Sequence, residues 1–173
     1  KIAITTDKHQ TTRNTIRGIY THYSDDDMPE DIQIVFIDTP GIHRPRTKLG
    51  KYMTDAAMGT FKEVDAVIFI VDGKLSDGPG DKYIVDMLDE VVTPKILVIN
   101  KIDKMGPEEF REIYEEYAEL GIFEDIIGVS AKEGTNVEDL IKCTAGFMDE
   151  GSMYFPADMV TEHPERFIVR EII

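Results

Sequence analysis

Only one cysteine, Cys143, occurs among the 173 residues, so no internal disulfide can form and a disulfide scaffold is excluded. Basic residues are scarce: 19 lysines and arginines stand against 34 aspartates and glutamates, a formal charge of −15. So acidic a surface repels phosphate backbones, which argues against sequence-independent RNA or DNA binding by this stretch alone. Long apolar runs are missing as well. The longest extends only from Ala66 to Val71, far short of the roughly 18 residues a membrane helix needs. There is no internal repeat or low-complexity tract. With 42% hydrophobic and 31% charged residues, the composition is that of a globular chain rather than a disordered or fibrous one. The length suits one domain, or one domain plus a fragment of another. The first residue is Lys1, not methionine, so nothing about a leader can be read from it.

What is present is a regular alternation. Four short, β-branched apolar runs, Ile32 to Ile37, Ala66 to Val71, Lys95 to Ile99 and Ile126 to Val129, read as strands buried on both faces. Between them, helical spacing marks Leu49 to Phe61, Ile84 to Val91, Phe110 to Leu120 and Val137 to Met148. Pro107 followed by Glu108 and Glu109 suits the first turn of a helix, where proline needs no N–H and acids meet the positive dipole end. Thr135-Asn136-Val137-Glu138 has the spacing of a capping box. This order predicts an α/β fold with a mostly parallel sheet and right-handed crossovers. One strand departs from it: Ile16 to Tyr23 alternates, and an acidic turn then leads straight to Ile32, which predicts an antiparallel hairpin. Asp25, Asp26 and Asp27 in that turn read as a solvated loop. Gly151 to Glu165, with Pro156 and Pro164 and no period, reads as a linker.

In parallel α/β sheets ligands bind beyond the carboxyl ends of the strands. Asp38-Thr39-Pro40-Gly41, Asn100-Lys101-Ile102-Asp103 and Ser130-Ala131-Lys132 each follow a predicted strand, and Thr11-Thr12-Arg13 lies upstream. Taken singly they are unremarkable. Asp-Thr-Pro-Gly is a good β-turn, and the others pass for polar loops. Taken in order, they resemble the elements that follow the phosphate loop in small GTPase domains.

That resemblance implies roles that suit the residue types. Asp103 can accept two hydrogen bonds from guanine, whereas adenine leaves the charged group unpaired, at a cost of about 1–3 kcal/mol or more. Asn100 can bridge loops and reach the N7 edge, the stem of Lys101 can lie over the base with its ammonium hydrated, and the Ala131 N–H can meet the guanine carbonyl. Asp38 and Thr12 suit magnesium, which keeps several waters and takes few protein oxygens. Gly41 can offer its N–H to the terminal phosphate, flanked by Thr39 and Pro40.

Wider stretches narrow the family. Lys1 to Arg13, Asp38 to His43 and the tail Tyr154 to Ile173 resemble the Era-like family of bacterial ribosome-assembly GTPases. The resemblance implies a Ras-like fold with residues 1–149 as the GTPase domain, 150–165 as a linker and 166–173 as the start of a KH domain. It implies GTP and GDP as ligands, Mg2+ and a monovalent cation, K+, as cofactors, and a cytoplasmic protein able to touch the inner face of the plasma membrane. Its implied partners are 16S rRNA and the small ribosomal subunit, reached through the KH domain, and not DNA.

Two departures stand out. No G-x-x-x-x-G-K-[ST] occurs, so the expectation is that a strand, phosphate loop and first helix precede Lys1, and that this stretch alone binds GTP weakly or not at all. Ile42 stands where many regulatory GTPases place a water-orienting glutamine, which implies slow hydrolysis or water held by backbone or cation. His43 beside it reads as a loop histidine. Two alternatives remain open at this point: a nucleotide-deficient pseudo-GTPase acting as a binding module, and another GTPase of the superfamily acting in tRNA modification.

Overall fold

The computed structural model describes residues 16–28, 30–39, 54, 57–75 and 79–161. Thr12, Pro40, Gly41, Ile42 and His43, most of the predicted helix Leu49 to Phe61, and residues 162–173 lie outside them. Two compact units divide the chain: Lys1–Ala57 together with Glu150–Ile173, and Met58–Asp149.

In the first unit β1 (Ile16–His22) and β2 (Ile32–Asp38) form the expected antiparallel hairpin, in register from Ile16↔Asp38 to His22↔Ile32. The acidic connection is exposed at Asp25, Asp26 and Asp27, yet it is internally bonded. The Asp25 carboxylate accepts from the N–H groups of Asp27 (3.0 Å) and Met28 (2.8 Å), and Asp31 accepts from that of Ser24 (2.8 Å). Such Asx geometry is how aspartate closes a tight turn, and it presses Met28 into the interior at 5% exposure.

The proline-containing stretch after residue 150 is also tied to this hairpin. The Ile19 N–H donates to the Val160 carbonyl (2.9 Å), and the Thr161 hydroxyl donates to the Arg17 carbonyl (2.7 Å). Gln33 acts like a piece of backbone there. Its Nε2 donates to the Phe155 carbonyl and its Oε1 accepts from the Phe155 N–H, both at 2.9 Å.

The second unit holds a parallel sheet in which β4 (Lys95–Ile99) lies between β3 (Val67–Val71) and β5 (Asp125–Gly128). Every residue of β4 is buried, as a continuous apolar run sandwiched by helices must be. Its two faces serve different helices, because successive side chains point oppositely. Leu97 and Ile99 pack with Val71, with Val85 of α1 (Pro79–Asp89) and with Ile113 and Tyr117 of α2 (Pro107–Ala118). Ile96 and Val98 pack with Val129 and with Leu140 and Cys143 of α3 (Val137–Ala145). Lys95 is buried at the strand's start, where its ammonium donates to the carbonyls of Val91 (2.8 Å) and Thr93 (3.1 Å).

Local signals succeeded unevenly. Pro107 opens α2 behind an extended Gly106, as expected. β5 begins and ends one residue earlier than its apolar run, and the three helices end at Asp89, Ala118 and Ala145, short of Val91, Leu120 and Met148. The capping box at Thr135 does not form. Asn136 is the cap residue, in the left-handed region at φ 58, without a side-chain cap bond. Its amide is spent elsewhere, donating to the Gly128 carbonyl at 2.8 Å.

Candidate functional site

The sheet hydrogen bonding runs on past the carboxyl ends of the parallel strands. The Asn100 N–H donates to the Val71 carbonyl (2.7 Å), that of Val129 to Ile99 (2.8 Å) and that of Ile102 to Val129 (3.2 Å). These bonds set Asp72, Asn100 and Ser130 at neighbouring strand ends, the place where the fold presents ligand-binding loops.

Lys101 then takes a left-handed backbone, φ 66 and ψ 32, and turns the chain into the 3₁₀ turn Ile102–Lys104. A residue with a Cβ adopts that region reluctantly, so neighbouring bonds must hold it. Those on Asn100 and Ile102 do so from either side. The Lys101 ammonium, expected to stay with water, instead pairs with the Asp72 carboxylate. Both side chains remain about half exposed, at 50% and 55%.

Asp103 is exposed, and the fully buried Ser130 lies beneath it, donating its hydroxyl to Asp103 Oδ1 at 2.6 Å. That bond, foremost, holds the Asp103 carboxyl below the usual carboxylate range. Slight burial works the other way, and its own N–H and the ammonium groups of Lys132 and Lys104 add to the lowering. The Ser130 oxygen also accepts from the Glu133 N–H (3.2 Å), while the Ala131 N–H donates to Asn100 Oδ1 (3.1 Å). Residues 130–135 close on themselves through Ser130 N–H to Thr135 (3.1 Å) and Gly134 N–H to Ser130 (2.8 Å), with Gly134 at φ 80. Lys132 is exposed and paired with Glu133. One hydrogen-bonded frame thus joins Asn100, Asp103, Ser130 and Ala131 from two adjacent strands. It offers an ionised carboxylate as a paired acceptor.

In the other unit, Asp38 ends β2 opposite Ile16, exposed, with Thr39 half-buried beside it. Among the described residues no three His, Cys, Asp or Glu side chains could together hold a metal ion. Nor is there a thiol nucleophile in the lone cysteine: burial, then the Asp125 carboxylate 3.2 Å away, pushes Cys143 up to about 12. Asp72 is the residue that sequence reasoning missed. The rule that picked out the other loops applies to it equally, since it directly follows a buried strand.

Comparison with known proteins places this geometry in context. A family model described as 50S ribosome-binding GTPase matches residues 1–101. GTPase Era of Alkaliphilus oremlandii (strain OhILAs) is 54% identical over 173 residues, covering 100% of this chain and 56% of that protein. A solved structure of Era with MgGDPNP and nucleotides 1506–1542 of 16S ribosomal RNA superposes with a TM-score of 0.84 at 32% identity, over 99% of this chain and 56% of the other. A variant of Aquifex aeolicus Era bound to GDP and AlF4− gives a TM-score of 0.80 at 33% identity, with the same coverage of 99% and 56%. The chain spans about half the length of the curated relatives it matches.

Proposed function

The chain belongs to the 50S ribosome-binding GTPase family, and from that premise we propose that the intact protein binds GTP, hydrolyses it to GDP and phosphate, and acts in maturation of 16S rRNA and assembly of the small ribosomal subunit. The family description names the large subunit, but the Era structure carrying 16S RNA resembles 99% of this chain, and the reading follows that broader match. The observation that carries it is the frame in which Ser130 steadies an exposed, ionised Asp103 while Asn100 ties down Ala131. Asp103 is the guanine acceptor, meeting N1–H and the exocyclic amine. Asn100 faces the N7 edge, Lys101 lies over the ring, and the Ala131 N–H, held on Asn100 Oδ1 before the base arrives, turns to the guanine carbonyl. Ser130 and Lys132 shape the same loop.

At the phosphate end the reading assigns Asp38 and Thr12 to Mg2+ and the backbone N–H of Gly41, in the loop it shares with Thr39 and Pro40, to the terminal phosphate. An exposed carboxylate at a strand end suits an ion that arrives with phosphates and water and needs only one or two protein oxygens. When bound, the metal would neutralise charge on the phosphates. K+ as an activating ion, a cytoplasmic location, peripheral contact with the plasma membrane and RNA binding through a KH domain after residue 165 belong to the same reading, supported by the family resemblance.

Asp103→Asn in the full-length protein tests the core of it. An amide matches the exchanged donor and acceptor of xanthine, so GTP affinity is expected to fall about 100-fold, as losing charge-assisted hydrogen bonds worth about 1.5–3 kcal/mol implies, while xanthosine nucleotides bind better. Unchanged preference in a nucleotide-displacement titration would overturn the assignment. ATP displacing GDP from the unaltered protein as readily as GTP does would overturn the reading itself.

A further inference from the structure

The ion pair between Lys101 and Asp72 has no part in the base contacts just described. Lys101 stands on a backbone pinned at both neighbours, by Asn100 to Val71 and by Ile102 to Val129. Beyond that backbone extends a side chain whose long flexible stem loses rotamer freedom whenever it is ordered. Asp72, at the end of the adjoining strand β3, takes the ammonium at the stem's far end. A stem held at both ends is ordered before any ring lies against it, and contacts made by pre-ordered groups release more slowly.

A second observation concerns Asp72's other neighbour. The carboxyl of Asp81 in α1 is pushed up, by burial first and by the charge of Asp72 second. Asp72 therefore sits against a like charge as well as an opposite one, and Lys101 is the cation that offsets this crowding.

We propose that Asp72 is a positioning residue for the guanine nucleotide, holding the Lys101 side chain in place so that the bound nucleotide is retained longer. The inference rests on the nucleotide reading above. It acts through Lys101, and because the pair is half exposed it weakens as salt rises.

The test is release of a fluorescent GDP analogue from the full-length protein. Asp72→Ala and Asp72→Asn should speed release about 2- to 5-fold at low salt, the range expected of a surface pair with good geometry. Raising the salt should narrow that gap, and Asp72→Glu should restore most of the retention. Lys101→Ala should speed release too, and the double variant should release no faster than Lys101→Ala alone, because the two residues act as one. Wild-type release rates in Asp72→Ala, or single effects that multiply in the double variant, would overturn the proposal. A lowered melting temperature with unchanged release would make the pair merely structural and also overturn it. Failure of the unaltered protein to hold the analogue at all would instead sink the nucleotide reading, and this inference with it.

Discussion

The parallel sheet and the hairpin are both strand pairings, but they are held by different forces. In the sheet β4 is buried along its whole length, and its register with β3 and β5 is dictated by close-packed aliphatic side chains. In the hairpin only Ile19 and Ile34 among the described strand residues are fully buried, and much of the order comes from polar side chains reaching backbone, as Gln33, Asp25 and Thr161 do. A dry sheet delivers strand ends to fixed positions, which suits the purine-edge recognition proposed for their loops. A half-exposed ribbon fastened by individual hydrogen bonds can be loosened one bond at a time.

Removing bulk from each region gives the strongest test of that contrast. Leu97→Ala should destabilise the second unit by about 2–5 kcal/mol, because the cavity is enclosed on all sides. Ile37→Ala in the half-exposed ribbon should cost about 1 kcal/mol, from the smaller area returned to water. Urea unfolding measures both, and equal losses would erase the distinction.

Adding bulk probes the sheet more finely. A Cβ at Gly128 would meet Phe110 Cε2 at 2.5 Å and Cζ at 2.9 Å, so Gly128→Ala should cost about 1–3 kcal/mol through overpacking. The same unfolding curves would show it, and a neutral result would mean that α2 yields more readily than so tight a contact allows.

Gln33→Ala removes two bonds to Phe155 and should cost about 1–2 kcal/mol locally. Hydrogen exchange should show protection lost at Phe155 with the β4 amides unaltered. Faster exchange in β4 would show that the polar fastening bears on the sheet as well.

Ser130→Ala has the subtlest expected effect, a displaced pH profile. Asp103 is held low chiefly by the Ser130 hydroxyl, so nucleotide binding that needs its anion persists into acid and fails only as pH drops through the lowered value. Without the hydroxyl that value rises, and the acid limb of a GDP-binding profile should move to higher pH, with binding at neutral pH little changed. A stationary limb would remove Ser130 from this role.

The same contrast explains what could be read from residues alone. Lys95–Ile99 was legible to the residue because burial on both faces leaves an unbroken apolar run. The placement of Asn100, Asp103 and Ala131 in loops beyond strand ends was legible because each closely follows an apolar run. Polar side chains have many possible partners, and neither composition nor spacing says which they take. That is why Asn136 rather than Thr135 stands at the start of the helix, with its amide given to Gly128, why Lys101 went to Asp72 instead of water, and why the bond between Gln33 and Phe155, 122 positions apart, left no trace in the chain's pattern.

Lys95 carries a different consequence. Its amine is buried at the amino end of the fully buried strand and bonded to two carbonyl oxygens, so amine-directed acylating reagents meet it only after the sheet has come apart. Against the exposed lysines at 104 and 132, it is an internal chemical seal, and its labelling records that the second unit has opened.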